Sequence, residues 1–200
     1  MNRNQLLSYL LILLAPLSVW SQSTENFPPP ANPPQIVAEK VKDKITIDGI
    51  LDEIAWQQTQ ATSNFFRVEP RQGGKYQYQT AVKVLYDERN LYFGVFARNS
   101  LGKRGIRVQD FRRDFAWGEN DIFGVQLDPQ NLKQYCVSFQ TTPYGNQRDL
   151  QNFNDQNIDN DWNALWRVRT NRVDSGYFAE FAIPFKSLRY NFSNESDTTS

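Results

Sequence analysis

The sequence predicts an all-β fold: a two-sheet antiparallel β-sandwich, jelly-roll-like. Three observations point there. Beyond Gln35, short runs rich in Val, Tyr, Phe and Trp alternate with polar residues at a period of two. Asp, Asn, Gly and Pro punctuate those runs where turns are needed. After the first 21 residues no stretch carries the period of a long amphipathic helix. A barrel of similar strand count is the alternative.

Residues 1–21 read as a signal peptide. Arg3 supplies the positive end, Leu6, Leu7, Leu10, Leu11, Ile12, Leu13 and Leu14 the apolar run, and Val19-Trp20-Ser21 a cleavage site before Gln22. The run is short, and Pro16 interrupts it, for a span that needs about 20 residues. Export to the periplasm, outer membrane or cell surface is expected, with an uncleaved anchor as the alternative. Residues 22–34 hold Pro28, Pro29, Pro30, Pro33 and Pro34, a spacer that cannot donate to a ladder. Residues 35–190 make one domain of roughly 150 residues, long enough for a hydrophobic core, and residues 191–200 a polar tail.

Ile36-Val37-Ala38 and Ile45-Thr46-Ile47 read as two strands joined by Lys42-Asp43-Lys44. Asp48-Gly49 is a turn, and Leu51 to Trp56 one helical turn with a polar cap. Thr80–Tyr86 and Leu91–Ala97, around Asp87-Glu88-Arg89-Asn90, form the clearest hairpin. Ile122–Leu127 and Tyr135–Gln140, around Asp128-Pro129-Gln130-Asn131, form a second. In its return strand Tyr135, Val137 and Phe139 face one way and Cys136, Ser138 and Gln140 the other. Ala164, Trp166 and Val168 alternate with Leu165, Arg167 and Arg169, and Tyr177, Ala179, Phe181 and Ile183 with Phe178, Glu180 and Ala182. Trp56 and Trp166 are assigned to the core. Two long loops remain, Asn99 to Asn120 and Thr141 to Asn163, and long loops on a rigid scaffold are where binding residues sit.

Composition excludes several classes. Lys plus Arg and Asp plus Glu are each 22, so the formal charge is zero and nothing favours nucleic acid. With His 0 there is no Ser-His or Cys-His nucleophile pair and no histidine-bearing zinc site. Met1 is the one methionine, which excludes His/Met haem ligation. Cys136 is the one cysteine, so no intrachain disulfide forms, and a small buried thiol is expected.

Four phrases carry a family resemblance. They are Ile45-Thr46-Ile47-Asp48-Gly49 running to Trp56, Tyr86-Asp87-x-x-Asn90-Leu91-Tyr92-Phe93-Gly94, Asp121-x-Phe123-x-Val125-x-Leu127-Asp128, and Tyr177-Phe178-Ala179-Glu180-Phe181-Ala182-Ile183-Pro184-Phe185. Tyr135-x-Val137-x-Phe139 followed by Gly145 and Asp149 adds to them. In order and spacing these resemble the carbohydrate-binding module family nine domain, over about residues 36 to 190. The likeness is nearest to the version at the N-terminus of secreted Gram-negative proteins that continue into an outer-membrane β-barrel. The resemblance implies a β-sandwich that binds a glycan, aromatic rings stacking on a terminal sugar, with structural calcium nearby. It also implies a module that accompanies glycoside hydrolases in carbohydrate catabolism without cutting bonds itself. It leads one to expect a final edge strand that residues 191–200 do not supply.

Trp117 and Trp162 lie in polar, loop-like surroundings, where an indole can stack on a pyranose. Arg112, Arg113 and Asp114 could hydrogen-bond sugar hydroxyls or pin the long loop. Asp121 and Tyr144 complete the candidate ligand set. Asp155, Asn157, Asp159 and Asp161 place oxygens at every second position, a spacing that can wrap calcium or simply form a hydrated turn. The cluster Asp114, Glu119 and Asp121 raises hydrolysis, which needs two carboxyls about 5–5.5 Å or 6.5–9.5 Å apart across a cleft. The expected function is therefore non-catalytic glycan binding. A docking module of an outer-membrane protein, or part of an O-glycosyl hydrolase, are the alternatives.

Overall fold

A computed structural model describes residues 35–63, 65–69, 78–154 and 157–188. The expected leader, spacer and polar tail, and Asp155, lie outside the described residues. Among the described residues nine strands form two sheets. The first contains β1 (Glu39–Lys40), β2 (Thr80–Tyr86), β3 (Asn90–Arg98), β8 (Arg167–Val173) and β9 (Gly176–Pro184), in the order β1-β2-β3-β9-β8. The second contains β4 (Phe123–Leu127), β5 (Tyr135–Thr141), β6 (Gln147–Phe153) and β7 (Asn157–Asp159), in that order. All pairs are antiparallel except β1 with β2. The two ladders are separate, which makes a sandwich and not a closed barrel.

Both hairpins owe their turns to one aspartate. Asp87 Oδ1 accepts the N–H groups of Arg89 and Asn90, each at 2.7 Å, and Oδ2 accepts the Tyr92 hydroxyl at 2.7 Å. Burial pushes the Asp87 carboxyl up, but these donors outweigh it and hold the group below its ordinary value. Asp128 does the same after β4, accepting from Leu132 and Lys133 at 3.1 and 2.7 Å. Between the sheets Val82, Val84, Val95, Val168, Ala179 and Ile183 meet Val125, Val137 and Phe139. Trp166 stacks on Phe181 at 5.7 Å and meets the edge of Phe139 at 5.4 Å.

The chain from Val41 to Thr59 lies as a third layer over the outer side of the first sheet. It includes α1 (Ile54–Gln58) and buries Val41, Ile45 and Trp56 against Leu85, Tyr92 and Ala182. Gly94 admits the indole: a Cβ there would stand 2.9 Å from Trp56 Cζ3. Beneath it Glu180 is wholly buried. Its Oε1 accepts Trp56 Nε1–H at 3.0 Å, and its Oε2 accepts the N–H groups of Asp48 and Gly49 at 3.0 and 3.1 Å. Gly49 has φ +88, and a Cβ there would sit 2.9 Å from the Thr170 carbonyl carbon. The first and last phrases of the domain thus close on each other.

Four expectations are corrected. Residues 36–38 and 45–47 do not pair. The short strand is Glu39–Lys40, parallel to β2, and the N–H groups of Thr46 and Asp48 go to Glu53 and Glu180 carboxylates instead of a ladder. The helix runs Ile54–Gln58, and Glu53 before it makes no side-chain cap. The expected loop from Thr141 to Asn163 contains β6 and β7. Cys136 is half-buried, not buried, with Asn152 Nδ2 at 3.5 Å from its sulfur.

Burial pushes the Glu180 carboxyl up to about 7, even though the N–H donors of Gly49, Asp48 and Trp56 favour its anion. The folded value exceeds the ordinary 4.5, so this group's contribution to stability is full below about pH 4.5 and is lost as pH rises through about 7. Glu180→Gln removes that slope, and the amide it turns toward N–H donors costs about 1–3 kcal/mol. Thermal melts of both proteins from pH 4 to about 8 check this; parallel slopes would count against the assignment.

Candidate functional site

The connection between β3 and β4 crosses the end of the second sheet and is pinned by its own polar residues. Asp121 and Arg107 exchange backbone contacts: Arg107 N–H donates to Asp121 Oδ2 at 2.8 Å, and Asp121 N–H to Arg107 O at 2.7 Å. Asn120 Oδ1 accepts from Gln109 and Asp110 at 2.8 and 3.0 Å, while its Nδ2 donates to Ala116 O at 2.7 Å. Phe115 is buried beneath. On this frame a 3₁₀ turn, Trp117–Glu119, holds the Trp117 indole 63% exposed.

Arg113 and Asp114 lie on the other side of Phe115. Arg113 Nη2 meets Asp149 Oδ1 and also donates to Asn163 Oδ1 at 3.1 Å; Nη1 donates to Gln147 Oε1 at 3.2 Å. The Asp114 carboxylate stands 3.6 Å from Arg113 Nε, and its N–H donates to Gln147 O at 2.9 Å. Burial pushes the Asp149 carboxyl up, against the Ala164 N–H (2.5 Å) and the Arg113 charge that favour its anion. The guanidinium fork of Arg113 is therefore engaged by protein partners, tying the loop to β6 and to Asn163.

The remaining candidates are dispersed. Arg112 forms a bidentate pair with Asp110, both bonds at 2.9 Å, which holds that carboxyl well below the usual range. The Tyr144 ring lies edge-on to Phe111 at 5.1 Å, with the Arg172 guanidinium 3.8 Å from its centroid. Trp162 is half-buried with its ring against Phe139 at 5.9 Å. Asn157 and Asp159 belong to β7, and Asp159 Oδ1 accepts the Asp161 N–H at 2.9 Å in a turn. Among the described residues no three acidic, Cys or His side chains converge as a metal site.

A different surface gathers binding chemistry. Strand alternation points Gly124, Gln126, Ser138, Gln140, Arg148, Leu150 and Asn152 away from the core. On a flat outer face they would be wet. Instead Ser138 is fully buried, Gln140 is 7% exposed and Leu150 4%, although Leu150 belongs to neither core. The face is covered at these positions and open beside them. A groove of about 340 Å³ opens there, lined by Trp117, Ile122, Gly124, Gln126, Ser138 and Gln140. Gly124 keeps it open, since a Cβ would approach Gln140 Cγ to 3.1 Å.

Gln140 Nε2 donates to Ser138 Oγ at 3.1 Å, and Arg148 Nη2 to Asn160 Oδ1 at 2.9 Å. Gln140 Oε1, Arg148 Nη1 and Asn152 Oδ1 are buried without a partner among the described residues. Each such atom costs about 1–3 kcal/mol unless water or a ligand satisfies it. An indole beside neutral amides and a hydroxyl suits the apolar face and the hydroxyl rim of a sugar. Among the described residues that line it there is no carboxylate. Sequence reasoning placed Ser138 and Gln140 on this face. It passed over Gln126, Arg148 and Asn152, whose one signal was polarity within a strand.

Arg113→Ala leaves a buried Asp149 carboxylate without its cation. We expect a loss of about 2 kcal/mol, less than for a fully buried pair because the guanidinium is half exposed. Denaturant unfolding of Arg113→Ala, Asp149→Asn and the double variant measures it; additive losses would show that the pair is not coupled.

The structure resembles that of a protein from Bacteroides uniformis ATCC 8492 described as a candidate carbohydrate-binding protein, with a TM-score of 0.59, 8% identity, and 76% of this chain and 72% of that one covered. It also resembles a carbohydrate binding module family 9 from Caldicellulosiruptor kristjanssonii in complex with cellotriose, with a TM-score of 0.51, 13% identity, and 75% and 67% covered. At such identities these likenesses show the fold alone. No curated protein matches the chain. Residues 47–198 match the family model described as Carbohydrate family 9 binding domain-like, and the chain belongs to that family.

Proposed function

We propose that this chain is an exported, non-catalytic glycan-binding module whose ligand lies in the groove beside Trp117. The observation that carries the reading is the exposed indole on a pinned loop, next to a hollow floored by Ser138 and Gln140. The sugar ring lies against Trp117. Gln126 and Gln140 offer donors and acceptors to its hydroxyls, and Arg148 adds a charged donor at the rim. Arg113, Asp114 and Asp121 act one step back by holding the loop. Family membership supports the ligand class, as does the cellotriose bound to the Caldicellulosiruptor module.

The leader-like residues 1–21 and the proline-rich spacer support export. The resemblance of the bracketing phrases to modules that precede envelope barrels supports a place at the cell envelope. There the module would hold a glycan close to a larger assembly that consumes it.

Trp117→Ala is expected to weaken binding at least about ten-fold, near 1.4 kcal/mol, with the melting temperature unchanged because the ring is exposed. Affinity gels of cellulose, xylan, mannan and chitin, followed by calorimetry on whichever is retained, provide the measurement. Full retention of binding by the variant would move the site elsewhere. No retention of the parent chain on any gel would favour a docking module.

A further inference from the structure

The N-terminal layer does not reach across the whole outer side of the first sheet. It packs on Leu85, Tyr92 and Ala182, and Trp56 sits over Gly94 beside Glu180. One step further along the two inner strands β3 and β9, on the same side by alternation, stand Phe96 and Phe178. They are register partners, with ring centroids 4.6 Å apart and planes tilted by 33°. Both are half-buried, and neither belongs to either hydrophobic core.

Hydrogen-bond donors flank the pair. Asn171 is the register partner of Phe178 and faces the same way, and Arg98, two residues beyond Phe96, is exposed on that side. The surface suits an occupant that is apolar, extended and rich in carbonyls that need outside donors. A polyproline II segment has that character, since it makes no internal hydrogen bonds and its rings dock on aromatic side chains.

The chain carries such a segment tethered beside this surface. Pro28, Pro29, Pro30, Pro33 and Pro34 lie outside the described residues and join the domain at Gln35. Strand β1 is parallel to β2, with Glu39 opposite Leu85, so the chain enters it from the Thr80 end of the sheet. At that end Ala81, Phe96 and Phe178 share one row. From β1 to β9 is three strand spacings, about 14 Å at ~4.8 Å each. Residues 28–34 in polyproline II form span about 22 Å at ~3.1 Å per residue, enough to cross that distance.

We propose that the proline-rich segment 28–34 docks on the Phe96–Phe178 pair and so extends the third layer over the first sheet. The proline rings lie on the two phenyl rings, while Asn171 and Arg98 donate to the segment's carbonyls. The surface is on the opposite sheet from the groove beside Trp117, and the proposal stands apart from the glycan-binding reading.

Hydroxyl-radical footprinting of the full chain, read by mass spectrometry at each phenylalanine, tests this. Replacing Pro28, Pro29, Pro30, Pro33 and Pro34 together by serine is expected to raise labelling of Phe96 and Phe178 at least about two-fold, as loss of a docked segment requires. Phe139, fully buried between the sheets, should stay unlabelled in both proteins. Equal labelling of the pair in parent and variant overturns the proposal. So does a rise shared by Phe139, which would mean that the substitutions loosen the whole domain. Protection that falls on dilution of the parent also overturns it and makes a second copy of the chain the occupant.

Discussion

A buried carboxylate holds this domain together. Glu180 sits in the middle of a central strand without a cationic partner among the described residues, and three N–H donors from the N-terminal segment surround it. Removing a carboxylate from water is costly, so the arrangement persists only if those donors arrive together. They come from the Asp48-Gly49 turn and from Trp56, which explains why these residue types stand at these spacings. Gly49 is needed for its left-handed backbone against Thr170, and Gly94 for the space the indole fills. The third layer is thereby clamped to the first sheet, which frees the second sheet to present its outer face.

That division of labour shapes the site. The first sheet has a layer on each side, the sandwich core and the N-terminal layer. The second sheet packs its core side in the sandwich, and its other side is polar, buried at Ser138 and Leu150 and open in the groove beside Trp117. The loop between β3 and β4 bridges the two functions. Its charged residues, Arg107, Arg113, Asp114 and Asp121, are engaged with the protein and stiffen it. It also holds the Trp117 ring out to solvent. Preorganisation of this kind reduces the ordering that a ligand would otherwise have to impose.

Among the described residues, three of the five buried polar atoms without partners lie on the outer face of the second sheet. Gln140, Arg148 and Asn152 do not knit the core, and their neighbours Ser138 and Leu150 are excluded from it. An interior built only for stability would place apolar groups there.

By itself the sequence determined the elements whose signals are local. The two hairpins follow from alternation around Asp87 and Asp128, whose side chains close their turns within five residues. The core position of Trp166, and the outward direction of Ser138 and Gln140, follow from the same period of two. Tertiary structure decided the rest. Strand β6 reads as polar loop because its inward residues Gln147, Asp149 and Gln151 satisfy distant partners, such as Arg113 and the Trp166 carbonyl, in place of packing as hydrocarbon. Residues 45–47 look like a strand, yet the Thr46 N–H and that of Asp48 just after them go to side chains 7 and 132 residues away. Whether an outward polar row is wet or hollowed depends on which loops overhang it. That is a property of the assembled sheet, since neither the burial of Gln140 nor the engagement of Arg113 has any imprint in neighbouring residues.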